Sequence, residues 1–330
     1  MTTVTEIDAG HEGAVALLDR TQRDLEGGAS HRAMRRLFAG LQDVRRQLSP
    51  VEWRRFATET AIHHPVRALL HRDPMTRRSF DKPRGYSGDA VLLDYIYRVL
   101  GAEPTCSIGR SVYDYAVART AACGVRHRRD LLARALDDAA DEKDGGAHVL
   151  SVACGHLREA ELSAAARRGG LDRLLALDAD GESLAAVAAA HGPRTECLRL
   201  SVRRLLTGRH DLGRFDLVYS AGLFDYLALA VARRLTRRMF DLLRPGGRLL
   251  LSNFVPGVSD AGYMESFMGW DLILRTPPQL AEVAAELPRD AIHDLRLSTD
   301  PFGAIAYLDV RRAGPAQQRS PGDAGVAPSS

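Results

Sequence analysis

A glycine turn and an acidic residue 23 positions later are the first residues whose types and spacing could do chemistry. Gly155 lies just after an apolar run over 149–153 and just before a predicted helix, so a ligand can approach the backbone there. Asp178 ends the next apolar run, where a carboxylate can accept hydrogen bonds from both ribose hydroxyls of a nucleoside. The alternative for an acid at this point is an exposed loop carboxylate or a helix cap, and Asp180 suits the cap better. The pattern favours a nucleoside site, and the missing GxGxxG motif excludes the dinucleotide fingerprint.

A second group of candidates follows the apolar run 215–220. Ser220 and Ala221 are small, as a wall close to a ligand requires, and ligands of open α/β sheets bind at the carboxyl ends of the strands. Asp225 and Tyr226 come just after them and are candidates for orienting or deprotonating a reacting group. An equally open interpretation is that Asp225 caps the following helix and Tyr226 packs on it.

The elements that would position these residues alternate between strands and helices. Five strands are predicted at 149–153, 174–177, 197–200, 215–220 and 248–253, with helices near 157–168, 182–191 and 228–243. This rhythm indicates βαβ units and a parallel sheet. Two later runs, near 292–298 and 303–310, are close enough in sequence to form an antiparallel edge pair. A turn at Pro245-Gly246-Gly247 is expected to end the last helix and start the strand at once.

The chain before this alternation is predicted to be helical throughout, with helices near 50–62, 88–100, 107–121 and 125–142 among others. A loop over 81–89, rich in glycine and polar residues, interrupts it, and such loops often carry function. The last residues contain few large apolar side chains and are expected to be disordered. The predicted organisation is a helical domain at 1–145, an α/β domain at 146–312 and a tail at 313–330.

Composition excludes several classes of protein. The net charge is +3, from 45 basic and 42 acidic residues, which gives no argument for nucleic acid as a partner. The four cysteines form no CxxC pair and fit no zinc spacing, so no metal is expected and a reduced, intracellular protein is predicted. The N-terminus has no secretory pattern, and no run of 18 apolar residues could span a membrane. The predicted location is therefore the cytoplasm.

Taken in order, these motifs resemble those of class I S-adenosylmethionine-dependent methyltransferases over residues 147–255. The segments 82–89, 219–226 and 263–275 are similar to a narrower bacterial subgroup, related to biosynthesis of the methyl ester of 3-hydroxypalmitate. The same branch includes azetidine-2-carboxylate synthases, which close the aminobutyrate chain of S-adenosylmethionine into a ring and release methylthioadenosine. His156 departs from the subgroup, which usually has proline there, so altered handling of the amino-acid end of S-adenosylmethionine is open.

The resemblance implies a Rossmann-like class I methyltransferase fold, an α/β fold with a mostly parallel seven-stranded sheet, and an N-terminal helical lid. It implies that Ala153, Gly155, Asp178 and Ser220 line the S-adenosylmethionine site, with Cys154, Arg158, Ala179 and Ala221 beside them. Ser201 would lie by the adenine, and the loop of Arg84 and Tyr86 would cover the methionine end.

Three functions remain open from the sequence. In a methyltransferase acting on a small or acyl substrate, Asp225, or a tyrosine acting with it, would serve as the base. In a cyclase, S-adenosylmethionine would be the only substrate, and its amine would attack its own γ-carbon. Hydroxyl, aromatic or amide groups would suit that amine: Tyr86, Tyr97, Tyr115, Tyr226 and Asn253. The third function is a regulatory protein that binds S-adenosylmethionine without turnover. The sequence does not indicate an oligomeric state, and the apolar segment 255–275 could either close the pocket or pack in the core.

Overall fold

The computed structural model describes residues 4–100, 106–208 and 210–314, with side chains from residue 12 onward. Its centre is a seven-stranded sheet in the order β3-β2-β1-β4-β5-β7-β6, so the expected α/β class is confirmed. Strands β1 to β5 are parallel, and β7 runs antiparallel to both β5 and β6. The strands are β1 His148–Val152, β2 Arg173–Asp178, β3 Glu196–Arg199, β4 Phe215–Ser220, β5 Leu243–Phe254, β6 Ile292–Thr299 and β7 Ile305–Arg312.

The strand order reverses between β1 and β4. Both strands are largely apolar and are buried along nearly their whole length, as central parallel strands covered on both faces must be. Ligands of open α/β sheets bind outside the carboxyl ends of the strands at such a reversal. The segments that follow β1, β2 and β4 therefore meet at one edge of the sheet, as the sequence predicts.

Helices alone occupy the described chain before β1. They are α1 Val4–Glu26, α2 Ser30–Gln47, α3 Pro50–Arg55, α4 Val66–Leu70, α5 Pro74–Asp81, α6 Ala90–Tyr97, α7 Ser107–Val117 and α8 Thr120–Asp141. The predicted helix near 50–62 is α3 continued by a π-helical turn and a 3-10 turn. The predicted helix near 88–100 is shorter, because Asp89 caps its start and Arg98 takes a left-handed conformation at its end.

Between and after the strands lie α9 Arg158–Leu162, α10 Ala164–Arg168, α11 Gly181–His191, α12 Val202–Leu206, α13 Leu229–Asp241, α14 Ala261–Phe267 and α15 Pro277–Ala281. The single helix predicted near 157–168 is two helices, because Ser163 ends α9 and caps α10. The expected turn at Pro245-Gly246-Gly247 was wrong in position. Helix α13 ends at Asp241, and the three residues lie inside β5, where a register shift against β4 accommodates the φ of +77° at Gly246.

The segment after β5 joins the sheet to the helical half. Tyr263 on α14 stacks on Phe38 of α2, with ring centroids 4.3 Å apart. Glu265 accepts two hydrogen bonds from Arg45, at 2.7 and 2.8 Å, and a third from the Trp53 indole. Because the two N–H groups of the guanidinium match the two carboxylate oxygens, this pair fixes the orientation of α14 relative to α2. The segment 255–275 thus packs in the core along α14, while Trp270 reaches the cavity described below.

Gly262 marks the closest approach between α14 and α2. A Cβ atom at this position would lie 2.8 Å from the carbonyl carbon of Leu41 and 2.9 Å from its oxygen. Because these are backbone atoms, Gly262→Ala must push the helices apart, and we expect it to lower the free energy of unfolding by about 1–3 kcal/mol in a urea titration. Gly13→Ala on α1 is the control, since no heavy atom lies within 4 Å of its Cβ position. Equal stability of the two variants would contradict this account of the interface.

Across the part of the chain that the structure describes, no helix has the length and apolar character needed to cross a bilayer. The cytoplasmic location stays a prediction. The disordered tail also stays one, since residues 315–330 lie outside the described residues.

Candidate functional site

A cavity of about 330 Å³ opens at the carboxyl edge of the sheet, where the segments after β1, β2 and β4 meet. The loop before α6, together with α6 and α8, forms its other wall. Eleven of the residues predicted for the site line it: Tyr86, Tyr97, Ala153, Cys154, Gly155, Arg158, Asp178, Ala179, Ala221, Asp225 and Tyr226. Most of the rest of its surface is apolar, with Leu177, Leu200 and Val202 on the side of β2 and β3.

Asp178 is held rigidly at the rim of the cavity. One carboxylate oxygen accepts a hydrogen bond from the backbone N–H of Gly155 at 2.8 Å, and the other accepts one from Asp180 at 2.9 Å. Ala153 and Gly155 both have a φ of +55°, so the turn after β1 folds tightly enough to bring its amide to the carboxylate. Each Asp178 oxygen retains a further lone pair, which can accept from a ligand hydroxyl. Asp180 caps α11 by accepting from Glu182, as predicted.

A buried ionic cluster stands beside the glycine turn. The Asp94 carboxylate accepts two hydrogen bonds from Arg158, both at 2.7 Å, and lies 2.8 Å from Nδ1 of His156. Burial disfavours the charged form, but the hydrogen bonds from Arg158 and His156 outweigh it and lower the pKa of Asp94. Arg158 also pairs with Glu161. The guanidinium of Arg158, predicted as a cofactor ligand, is therefore largely occupied by two carboxylates of the protein.

Three aromatic side chains form one wall of the cavity. Tyr86 meets Tyr226 edge to face, with centroids 6.1 Å apart, and the Trp270 indole donates to the Tyr226 hydroxyl at 2.9 Å. Burial raises the pKa of both tyrosines, and it raises the pKa of Tyr97 to about 12. The phenols therefore stay protonated near neutral pH. They are suited to donate hydrogen bonds and to present ring faces to a cation, and not to act as bases.

Asp225 is a buried carboxyl group in the cavity lining. It is 2% exposed, its Oδ1 accepts from the backbone N–H of Phe254 at 2.7 Å, and burial raises its pKa to about 7. Ala228 occupies the cap position of α13, so Asp225 does not cap that helix. A carboxyl group with such a pKa in a cavity suits general acid–base chemistry.

The cavity lining also contains two charged residues that the sequence did not predict for the site, Arg128 and Glu159. Glu159 is buried, accepts from the Tyr219 hydroxyl at 2.7 Å, and has a pKa raised by that burial. Arg128 is 2% exposed and donates to the carbonyl oxygen of Ala221 at 2.9 Å. A signal for Arg128 was present, because it follows Val125 by three residues and precedes Leu132 by four, which places it on the buried face of α8.

The structure places the five other predicted residues outside the cavity lining. The Arg84 guanidinium bonds to Asp180, Glu182 and Ser183 and ties the loop over 82–89 to the start of α11. Ser201 caps α12, because its hydroxyl oxygen accepts a hydrogen bond from the backbone N–H of Arg204.

The remaining three are bound to protein partners. Ser220 donates to the carbonyl oxygen of Val152 at 2.8 Å. Asn253 accepts from Arg275 at 2.6 Å and donates to the carbonyl oxygen of Ile273 at 2.8 Å. Tyr115 packs edge to face on Phe38, among the helices. These contacts give the three side chains a supporting part in the framework.

Comparison with known families matches residues 149–247 to the family model described as a methyltransferase domain. That span covers β1 to the start of β5 and includes the segments that bear Gly155, Asp178 and Asp225. The match and the observed strand order identify the fold as the Rossmann-like fold of class I methyltransferases. A search of curated proteins finds no match.

Solved structures resemble the chain at low sequence identity. A structure from Bordetella parapertussis, described as a possible exported protein, is 19% identical, with a TM-score of 0.53, and covers 78% of this chain and 100% of its own. Magnesium protoporphyrin IX methyltransferase from Synechocystis PCC 6803 is 14% identical, with a TM-score of 0.46 and coverage of 73% and 100%. The N-methyltransferase NodS from Bradyrhizobium japonicum WM9 is 15% identical, with a TM-score of 0.41 and coverage of 57% and 87%. At these identities the likeness concerns the fold alone.

Proposed function

We propose that this chain binds S-adenosylmethionine in the cavity and transfers its methyl group to a small-molecule acceptor. The observation that carries the proposal is the Asp178 carboxylate, fixed by two backbone amides at the rim where β2 ends. A carboxylate at this place in an open α/β sheet suits the two hydroxyls of a ribose. The methyltransferase-domain match over the same strands supports this assignment.

The other residues of the cavity fit the rest of that molecule. Apolar side chains of Leu177, Leu200 and Val202 lie on the Asp178 side, where they suit a flat adenine ring. The faces of Tyr86 and Tyr226 suit a sulfonium cation. The short side chain of Ala153 and the lack of one at Gly155 leave room for a ligand to approach the backbone closely. The residues present therefore fit S-adenosylmethionine.

S-adenosylmethionine, when bound, supplies a methyl group on a positively charged sulfur that becomes neutral on transfer. The chain's contribution is to hold an acceptor in line with that group and to exclude water. Asp225 is the residue we assign as general base, since burial sets its pKa at about 7 and its Oδ2 is not used by the hydrogen bond from Phe254. The protonated phenols of Tyr86, Tyr97 and Tyr226 would orient the acceptor.

The wall of Tyr86, Tyr226 and Trp270 favours a second candidate, cyclisation of S-adenosylmethionine itself. That reaction needs no acceptor and requires an amine without its proton. Neutral phenols around the amine would leave it unprotonated more readily than a carboxylate would. The two reactions differ in their products: S-adenosylhomocysteine from methyl transfer, methylthioadenosine and a ring amino acid from cyclisation.

Incubating the purified protein with S-adenosylmethionine, alone and with a panel of small acceptors, separates the candidates by mass spectrometry. We expect S-adenosylhomocysteine to form only when an acceptor is present. Methylthioadenosine formed from S-adenosylmethionine alone would establish the cyclase instead. Binding without any product would favour a regulatory protein. Absence of binding in calorimetry would overturn the proposal.

A further inference from the structure

Arg128 is a buried cation with unused hydrogen-bonding capacity. The side chain extends from α8 into the cavity and is 2% exposed. Its Nη1 donates to the carbonyl oxygen of Ala221, while Nε is buried and has no hydrogen-bond partner within the described residues. Burying a charged donor without a partner is unfavourable, so such a group in a cavity indicates a ligand that completes it.

The protein's own carboxylates do not supply that partner. The nearest, Asp225, has its Oδ2 3.9 Å from Nη1, which is too far for a hydrogen bond. The other oxygen of Asp225 accepts a hydrogen bond from the backbone N–H of Phe254, and Glu159 accepts one from the Tyr219 hydroxyl. Burial raises the pKa of both acids, and it raises the pKa of Asp225 to about 7.

The position of Arg128 separates it from the nucleoside end of the cavity. Asp178 lies at the end of β2, whereas Arg128 is bonded to Ala221, after β4, on the opposite side of β1. Gly222 faces the guanidinium, and a Cβ there would stand 3.5 Å from Nη2. A ligand group at Arg128 therefore lies away from the ribose and near Asp225, the residue that we assign as the base.

We propose that Arg128 is a carboxylate-binding residue, which takes either the carboxylate of the acceptor or that of S-adenosylmethionine. The inference rests on the proposed function for the identity of those ligands. Arginine binds carboxylates through paired N–H donors, and Nε is one of the donors that such a pair uses. The acceptor class that this favours is a small carboxylic acid with an apolar body, since Leu93, Phe254 and Trp270 line the same cavity.

The first measurement compares S-adenosylmethionine with its decarboxylated analogue by calorimetry. If Arg128 holds the carboxylate of S-adenosylmethionine, the wild-type protein should bind the analogue about 10- to 100-fold more weakly, and Arg128→Gln should bind both alike. If the acceptor's carboxylate is the ligand, the wild-type protein should bind both compounds alike.

The second measurement tests the acceptor side with acetate and its uncharged isostere acetamide, at ionic strength matched with chloride. In the complex with S-adenosylhomocysteine, acetate should raise the Tm of the wild-type protein more than acetamide does, and Arg128→Gln should lose the difference. Arg134→Gln is the matched control, because Arg134 is exposed on the same helix. Arg128→Lys, which keeps the charge, should retain part of the discrimination.

The outcomes are separable. The proposal is supported if the wild-type protein prefers the carboxylate-bearing ligand in either measurement, Arg128→Gln loses that preference and Arg134→Gln keeps it. The measurement that shows the preference identifies the source of the carboxylate. The proposal is overturned if wild-type protein discriminates in neither measurement, or if both Arg128 variants discriminate as wild type does. Arg128→Lys and the wild-type ratios decide the matter even if Arg128→Gln does not fold. If S-adenosylmethionine does not bind, the proposed function fails, whereas acetate against acetamide on the ligand-free protein still tests Arg128.

Discussion

Asp178→Ala is expected to weaken binding of S-adenosylmethionine by about 1.5–3 kcal/mol, roughly 10- to 150-fold, in isothermal titration calorimetry. The variant removes the acceptors for two ligand hydroxyls, and it also frees the amides of Gly155 and Asp180 that now fix the turn. Asp178→Asn should lose less, because one side-chain oxygen remains to accept from an amide.

Asp172→Ala is the matched control for this experiment. Asp172 directly precedes the same strand, its side chain is 64% exposed, and it pairs with His148 at the opposite end of β2. We expect it to leave the affinity unchanged. Retention of affinity within about twofold by Asp178→Ala would refute the ribose assignment, since a lost charge-assisted pair costs more than that.

Asp225→Asn should lower kcat for methyl transfer by about 10²- to 10⁴-fold, the range typical of a lost general base. The asparagine can still accept from Phe254, so the loop should keep its position. In the wild-type protein the rate should rise with pH through the pKa of about 7 and then level off. The variant should show no such rise, and a pH–rate profile checks both statements.

The same substitution should make the folded protein more stable at high pH. The Asp225 carboxyl has a pKa of 3.8 in its ordinary state and about 7 in the fold, so the folded protein binds the extra proton between these values. The stability of the wild-type protein therefore falls as pH rises through this window. Asp225→Asn has no carboxyl group to ionise at this position, so it does not lose stability in this way. Its free energy of unfolding should exceed that of the wild-type protein by about 1–3 kcal/mol at pH 8, and the difference should shrink toward pH 4.

Asp241→Asn serves as the control in both experiments, because Asp241 lies at the surface and pairs with Arg237 at the end of α13. Asp225 would not be the base if its asparagine variant kept wild-type kcat. A pH-independent difference in Tm between Asp225→Asn and wild type would show that burial does not shift its pKa.

The sheet was predictable because its central strands are largely apolar runs separated by helices of regular period. The same logic predicted that Gly155, Asp178 and Asp225 lie at one edge of the sheet, because each stands at or shortly after the carboxyl end of a parallel strand. What the pattern could not supply is the wall contributed by distant helices. Arg128 reaches the cavity from α8, and its presence there depends on how the helical half packs against β4 and β7.

Local chemistry also explains why some predicted residues lie elsewhere. Ser201 and Arg84 have polar side chains that could bind a ligand, but both are bonded within the protein. Ser201 caps the start of α12, and Arg84 pairs with Asp180 at the start of α11. Asn253 stands at the correct edge of the sheet, yet it bonds to Arg275 and Ile273. Whether a polar side chain bonds to the protein or faces the cavity depends on residues far apart in sequence. The polar residues that follow a strand are therefore candidates, but the sequence does not decide which of them face the ligand.

At Gly88 the helical half of the chain contacts the α/β half, and residues of both halves line the cavity. A Cβ there would lie 2.5 Å from the Tyr226 hydroxyl and 3.0 Å from the Trp270 indole nitrogen, so the loop before α6 closes directly on residues that follow β4 and β5. The span 149–247 that matches a methyltransferase domain ends before Trp270 and begins after Gly88. The α/β half alone therefore cannot form the cavity: excising it, or joining it to a different helical half, would remove the residues that close the cavity on the side of α6.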